Sequence, residues 1–225
     1  MVFEAIAGSG TEMYIQAYIA TAFLSGLLYL YLSRVWWDNV PLKFPIVHFF
    51  IVTWSGIMYL NFLNESLFSN FAWYMDWLIS TPLIVLALGM TALHHADKKH
   101  YDLLGMLMGL QFMLVVTGII SQSTGATLAY WVGNALLLGV IYLLWFPFRE
   151  IAEQGSERLA KSYKTLAAYI SIFFVLYPAA WYLGTPGPME VLSDFQTSLA
   201  FVVLPFFCKQ VYGFLDLYMI HHAED

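Results

Sequence analysis

The sequence predicts an all-α fold: one bundle of seven membrane-spanning helices, with the N-terminus outside the cell and the C-terminus in the cytoplasm. Three observations predict it. Of the 225 residues, 60 % are hydrophobic and 11 % charged, whereas a water-soluble domain carries about 25 % charged residues. Seven apolar runs reach the ~20 residues that a spanning helix needs. The basic residues also segregate, as the positive-inside rule requires of a multi-pass protein of the plasma membrane.

The runs follow in order. Span α1 covers 14–32 and holds no charge. It is expected to be a span and not a cleaved leader, since neither a basic stretch nor a small-residue cleavage site accompanies it. Span α2 (45–63) carries His48, the one imidazole within the runs, and α3 (71–93) carries Asp76. Spans α4 (103–121), α5 (126–146) and α6 (165–184) are charge-free, while α7 (195–220) holds Lys209 and Asp216. The charged segment 149–164 is expected to prolong α5 and α6 as solvated ends. No run alternates in the short segments of a membrane β-barrel.

Orientation comes from the connections. Arg34 and Lys43 lie between α1 and α2, Lys98 and Lys99 between α3 and α4, and Arg149, Arg158, Lys161 and Lys164 between α5 and α6. Eight of nine basic residues thus fall on one side, the expected cytoplasmic one. Nine basic against fifteen acidic residues leaves no stripe for nucleic acid. Cys208 stands alone, which excludes a disulfide framework and a cysteine metal site. The five residues after α7 are expected to be a short polar tail and not an output domain.

Asp76, Lys209 and Asp216 are the three charges inside the runs, and each costs about 2.5–3.5 kcal/mol near the bilayer centre on insertion scales. Lys209 has two open readings. It pairs structurally with a buried carboxylate, or its amine is held for condensation with a carbonyl. Asp76 is the carboxylate that a buried protonated nitrogen would need to stay charged. Pro82 in the same helix is tolerable because Ser80 and Thr81 can satisfy nearby backbone groups.

Asp76-Trp77-x-x-Ser80-Thr81-Pro82-Leu83 in α3, the lone Lys209 in α7, and Phe174-x-x-Tyr177-Pro178-x-x-Trp181 in α6 together resemble the microbial rhodopsins, over nearly the whole chain. The resemblance implies all-trans retinal bound as a Schiff base to Lys209. It also implies a pocket walled by Trp77, Tyr177 and Trp181, with Phe174, Thr81, Pro205 and Cys208 beside it, and a homo-oligomer, as trimers are frequent in the family. Outward proton pumps of that family place Arg where this chain has Trp73, a second Asp where it has Pro205, and a carboxylate donor where it has Ala87. Trp73 with Pro205 is similar to the xenorhodopsin branch, which includes inward proton pumps and a sensory relative. The shared marks with the inward pumps are His48, Trp73, Asp76, Pro205, Lys209 and Asp216.

Spacing supplies a route. Asp216 lies seven residues past Lys209, ~10.5 Å along the helix and ~20° from the same face. His48 stands at similar depth near the cytoplasmic start of α2, with Ser55 seven residues on. The expected function is a light-driven inward proton pump. His48 and Asp216 form a pair that accepts the Schiff-base proton, the imidazole being suited to switch near neutrality. Reprotonation comes from the outer side near Asp76, with Ser80 hydrogen-bonding close by. The competing readings are a photosensor signalling through a separate cytoplasmic transducer, and a non-retinal scaffold or enzyme with a structural Asp76–Lys209 pair. A chloride pump would lack the Asp76 carboxylate. His94, His95, His100, His221 and His222 read as solvated surface. The outer acids Glu4, Glu12, Glu65, Glu190 and Asp194 read as loop carboxylates that also could gather protons.

Overall fold

The computed structural model describes residues 10–36, 38–64, 71–98 and 100–223. Glu4, Glu65 and Lys99 lie outside the described residues. Seven helices are long and apolar enough to cross a membrane: α1 Glu12–Val35, α2 Lys43–Leu63, α3 Ala72–Ala92, α4 Tyr101–Thr124, α5 Thr127–Glu153, α6 Glu157–Leu183 and α7 Asp194–Ala223. The ends run past the apolar runs wherever polar residues can finish a turn in water. The largest extension is at 149–164, where α5 continues through Glu153 and α6 begins at Glu157, as the charged ends predicted. Ser156 caps α6 by accepting the Leu159 amide at 3.1 Å, and Ser193 with Gln196 forms a capping box at the start of α7.

Consecutive helices pack as neighbours, and α7 closes the bundle by lying against α6, α1 and α2. The third span is the most buried, followed by α7 and α2. Large apolar side chains such as Leu24, Leu27, Tyr31 and Leu138 face outward on α1 and α5, as expected where the surrounding solvent is hydrocarbon.

Two spans are not uniform α-helix. Both α5 and α7 widen into a π-helical turn, at Leu144–Phe148 and Phe206–Val211. Such turns leave carbonyls off the regular ladder, and neighbouring tyrosines serve them. Tyr163 donates to the Leu144 carbonyl at 2.6 Å, Tyr169 to that of Phe207 at 3.0 Å, and Tyr29 to that of Gln210. Proline adds a related defect. Pro205 has no N–H for the carbonyl of Phe201 four residues earlier, and the Tyr59 hydroxyl donates to that carbonyl instead. In α3, Ser80 and Thr81 donate to the carbonyls of Asp76 and Trp77 at 2.7 and 2.8 Å, next to Pro82.

Candidate functional site

Two buried polar clusters lie in the core, both built on α7. The first gathers Lys209, Asp76 and Ser55, all wholly buried. The Lys209 amine contacts the Asp76 carboxylate and donates to Ser55 Oγ at 3.0 Å. Ser55 in turn donates to Asp76 Oδ2 at 3.0 Å and lies 2.5 Å from the Tyr18 hydroxyl. A hydroxyl has one hydrogen and two acceptor positions, so Ser55 is fully used. It belongs to this cluster, although its spacing had placed it on the His48 face.

The second cluster joins α2, α3 and α7. His48 Nε2 lies 2.7 Å from Asp216 Oδ2, and both side chains are wholly buried. Thr91 Oγ1 lies 2.7 Å from the other Asp216 oxygen and 3.1 Å from the Ala87 carbonyl, so its single hydrogen is shared between two acceptors. His48 Nδ1 has no hydrogen-bond partner. The pairing of His48 with Asp216 is therefore present as spacing suggested. Ala87 packs in the apolar core near it and supplies only a backbone carbonyl.

The remaining predicted residues fall around these clusters. Trp73 stacks between Phe62 and Phe201, ring centroids 5.1 Å away on each side, and forms an aromatic plug one turn from Asp76. Ser80 bonds its own helix and not the Lys209 amine. Pro205 bends the register just before the widened turn that carries Lys209. Cys208 packs in the core cluster that also holds Ile170 and Tyr212. Stacked His94–His95 and the pairing of His221 with Trp36 at 4.8 Å keep those imidazoles near the bundle end. Among the described residues no histidine, cysteine or carboxylate cluster could hold a metal ion.

The residues accommodate a long apolar group. A cavity runs between α3, α4, α5 and α6, walled by Trp77, Tyr177, Pro178 and Trp181. A second space shares Trp77 and Tyr177 with it and reaches Thr81 and Phe174. Gly133 keeps the far end open, since a Cβ there would come within 2.7 Å of Thr117 Oγ1. Trp77 Nε1 and the Tyr177 hydroxyl are buried without partners, and Tyr177 adjoins the core cluster containing Cys208 and Tyr212. This aromatic, largely apolar lining suits the polyene of retinal.

Sequence reasoning missed Tyr18, Tyr29, Thr91 and Gln210. A signal existed for the first two. Tyr18, Ser25 and Tyr29 recur at i, i+7 and i+11, one helical face, and α1 buries that face.

The comparisons agree with this geometry. A crystal structure described as the inward H(+) pump xenorhodopsin superposes with a TM-score of 0.96, at 60 % identity over 100 % of both chains. Archaerhodopsin-2 of Halobacterium sp. (strain aus-2) is 33 % identical over 65 % of this chain, and the match spans 56 % of that relative, about half its length. Halorhodopsin, described as a light-driven chloride pump, shares the fold at a TM-score of 0.83 and 24 % identity, covering 95 % of each chain. The sequence profile of the family described as bacteriorhodopsin-like protein matches residues 9–223. The chain therefore belongs to the bacteriorhodopsin-like family of seven-helix proteins, which bind retinal as a Schiff base on a lysine, here Lys209.

Proposed function

We propose that this protein is a light-driven inward proton pump in which Lys209 gives up its proton to the His48–Asp216 pair. The observation that carries the reading is the placement of two buried ionisable clusters along α7, with apolar Ala87 at the position of an outward pump's donor. The 60 % identity to a structure described as an inward proton pump supports the direction. The shared fold of a chloride pump shows that the fold alone does not choose the ion.

Retinal, when bound to Lys209, supplies light absorption and a change in where the Lys209 N–H points. Every proton position belongs to the chain. Asp76 stabilises the positive nitrogen while the proton stays there, and Ser55 fixes the carboxylate by a bond from the side. His48 receives the proton, and Asp216 holds the resulting imidazolium through its 2.7 Å contact. Trp73 with Phe62 and Phe201 seals the Asp76 side against free water exchange. With the basic connections on the cytoplasmic side, the N-terminus lies outside and the His48–Asp216 pair opens toward the cytoplasm. The Lys209 nitrogen then regains a proton from the outer side near Asp76. The protein sits in the plasma membrane as a homo-oligomer.

The test is the pH of an illuminated suspension of cells that make this chain with retinal supplied. Alkalinisation of the medium, abolished by a protonophore, is expected. The double variant His48→Asn/Asp216→Asn is expected to lose at least nine-tenths of it. Acidification would reverse the direction, and wild-type alkalinisation by the double variant would remove the acceptor. A coloured protein without any pH change would favour the photosensor.

A further inference from the structure

The reading above leaves unassigned which nitrogen of His48 takes the proton, and the structure contains a side chain placed to decide it. Asp216 occupies Nε2. Taken as a carboxylate, Asp216 can only accept; Nε2 is then the N–H donor and Nδ1 carries the imidazole's lone pair. That atom is buried and without a partner. It faces a slot created by Gly213. A Cβ on Gly213 would meet the Tyr29 hydroxyl at 2.7 Å and His48 Nδ1 at 3.1 Å. The phenol oxygen of α1 and the open nitrogen of α2 therefore both border the place that a side chain on Gly213 of α7 would fill.

Tyr29 is also tied to the other cluster. Its hydrogen is committed to the carbonyl of Gln210, the residue after Lys209 in the widened turn. Its oxygen has the Phe214 amide and the Ser25 hydroxyl as hydrogen-bond partners, and the single Ser25 hydrogen also reaches Gln210 Oε1 at 3.4 Å, so Ser25 is the partner that an incoming Nδ1–H replaces. The other titratable groups facing His48 are Asp216 at Nε2 and Tyr212, whose ring lies 5.5 Å from the imidazole.

We propose that His48 Nδ1 is the atom that takes the proton, and that Tyr29 is a positioning residue whose phenol oxygen, across the Gly213 slot, accepts a hydrogen bond from the newly formed Nδ1–H. The balance is simple. The N–H bond at Lys209 breaks, the Nδ1–H bond of His48 forms, and Nε2–H stays on Asp216. An imidazolium needs an acceptor at each nitrogen, and Tyr29 supplies the second. Because the same phenol hangs from the Gln210 carbonyl, a movement of the turn at Lys209 shifts the acceptor that His48 faces.

This inference rests on the inward-pump reading, and one set of variants separates the two. Nitrogen-15 NMR of the dark, retinal-loaded protein, with His48 assigned by comparison with His48→Gln, reads the tautomer directly. A proton on Nε2 and a bare Nδ1 is expected. A proton on Nδ1 in the dark overturns the proposal. Flash photolysis then follows loss of the Lys209 proton in Tyr29→Phe, which keeps the ring. A slowing of fivefold or more is expected, with the dark absorption maximum unchanged. The control is Tyr169→Phe, which loses a bond to the Phe207 carbonyl in the same turn but does not face His48. It is expected to stay within twofold of wild type. A smaller effect of Tyr29→Phe, or equal slowing in both variants, assigns the role to the turn alone and overturns the proposal. If wild-type cells fail to alkalinise their medium, the pump reading fails instead.

Discussion

The two buried clusters on α7 contain similar chemistry and leave different atoms open. Around Lys209 every hydrogen-bonding position of Ser55 is used, and cation and carboxylate touch. Around His48 the carboxylate is held at both oxygens, while one ring nitrogen is open. Each cluster leaves one buried atom without a partner, and the atoms differ: a carboxylate oxygen, Asp76 Oδ1, beside Lys209, and a basic ring nitrogen, His48 Nδ1, beside Asp216. Burial cannot make this distinction, since His48, Asp76, Lys209 and Asp216 are all wholly buried. The inventory of donors and acceptors makes it.

The comparison can be broken most severely at Lys209. Lys209→Ala removes the attachment point and strands the Asp76 carboxylate. Breaking one side of a buried pair costs about 3–5 kcal/mol, so purified protein is expected to stay colourless with retinal and to melt well below wild type. A coloured Lys209→Ala protein would refute covalent attachment. A smaller effect is expected at the other cluster. Thr91→Val keeps the shape but removes the donor to Asp216 Oδ1, and bonds to charged groups are worth about 1.5–3 kcal/mol. The thermal midpoint of the retinal-loaded protein should fall while its colour stays, because Thr91 touches Asp216 and not Asp76. A colour change as large as the one produced by Ser55→Ala would show that the clusters are not separate. The smallest effect belongs outside both. Glu153 pairs with Arg149 at 2.9 Å and Lys164 at 3.4 Å on the exposed end of α5. Solvent and salt screen such pairs, and Glu153→Gln should leave thermal midpoint and pH response unchanged.

The two regions also differ in how far the sequence exposed them. Asp76 and Lys209 stand out because charge is expensive in hydrocarbon, and seven-residue spacing brought Asp216 to the level of His48. Tyr18 and Tyr29 passed unnoticed because an uncharged phenol in an apolar run looks like packing. Thr91 and Ser55 are equally unremarkable in a membrane helix. Seven residues return Ser55 to the His48 face but about 10.5 Å further along α2, so one face of α2 serves both clusters at different depths.

By itself, the sequence determined the class of the molecule, the seven spans, the buried charges and the family they resemble. These follow from the cost of taking charge and backbone into a bilayer, which local composition records. Only the tertiary structure decided which donors meet which acceptors. Pro205 and the widened turn of α7 take successive residues off the regular ladder, and tyrosines from three other helices complete it. The space beside the open nitrogen of His48 exists because Gly213, on a third helix, has no side chain there, and such an absence acquires meaning only when helices distant in sequence are packed together.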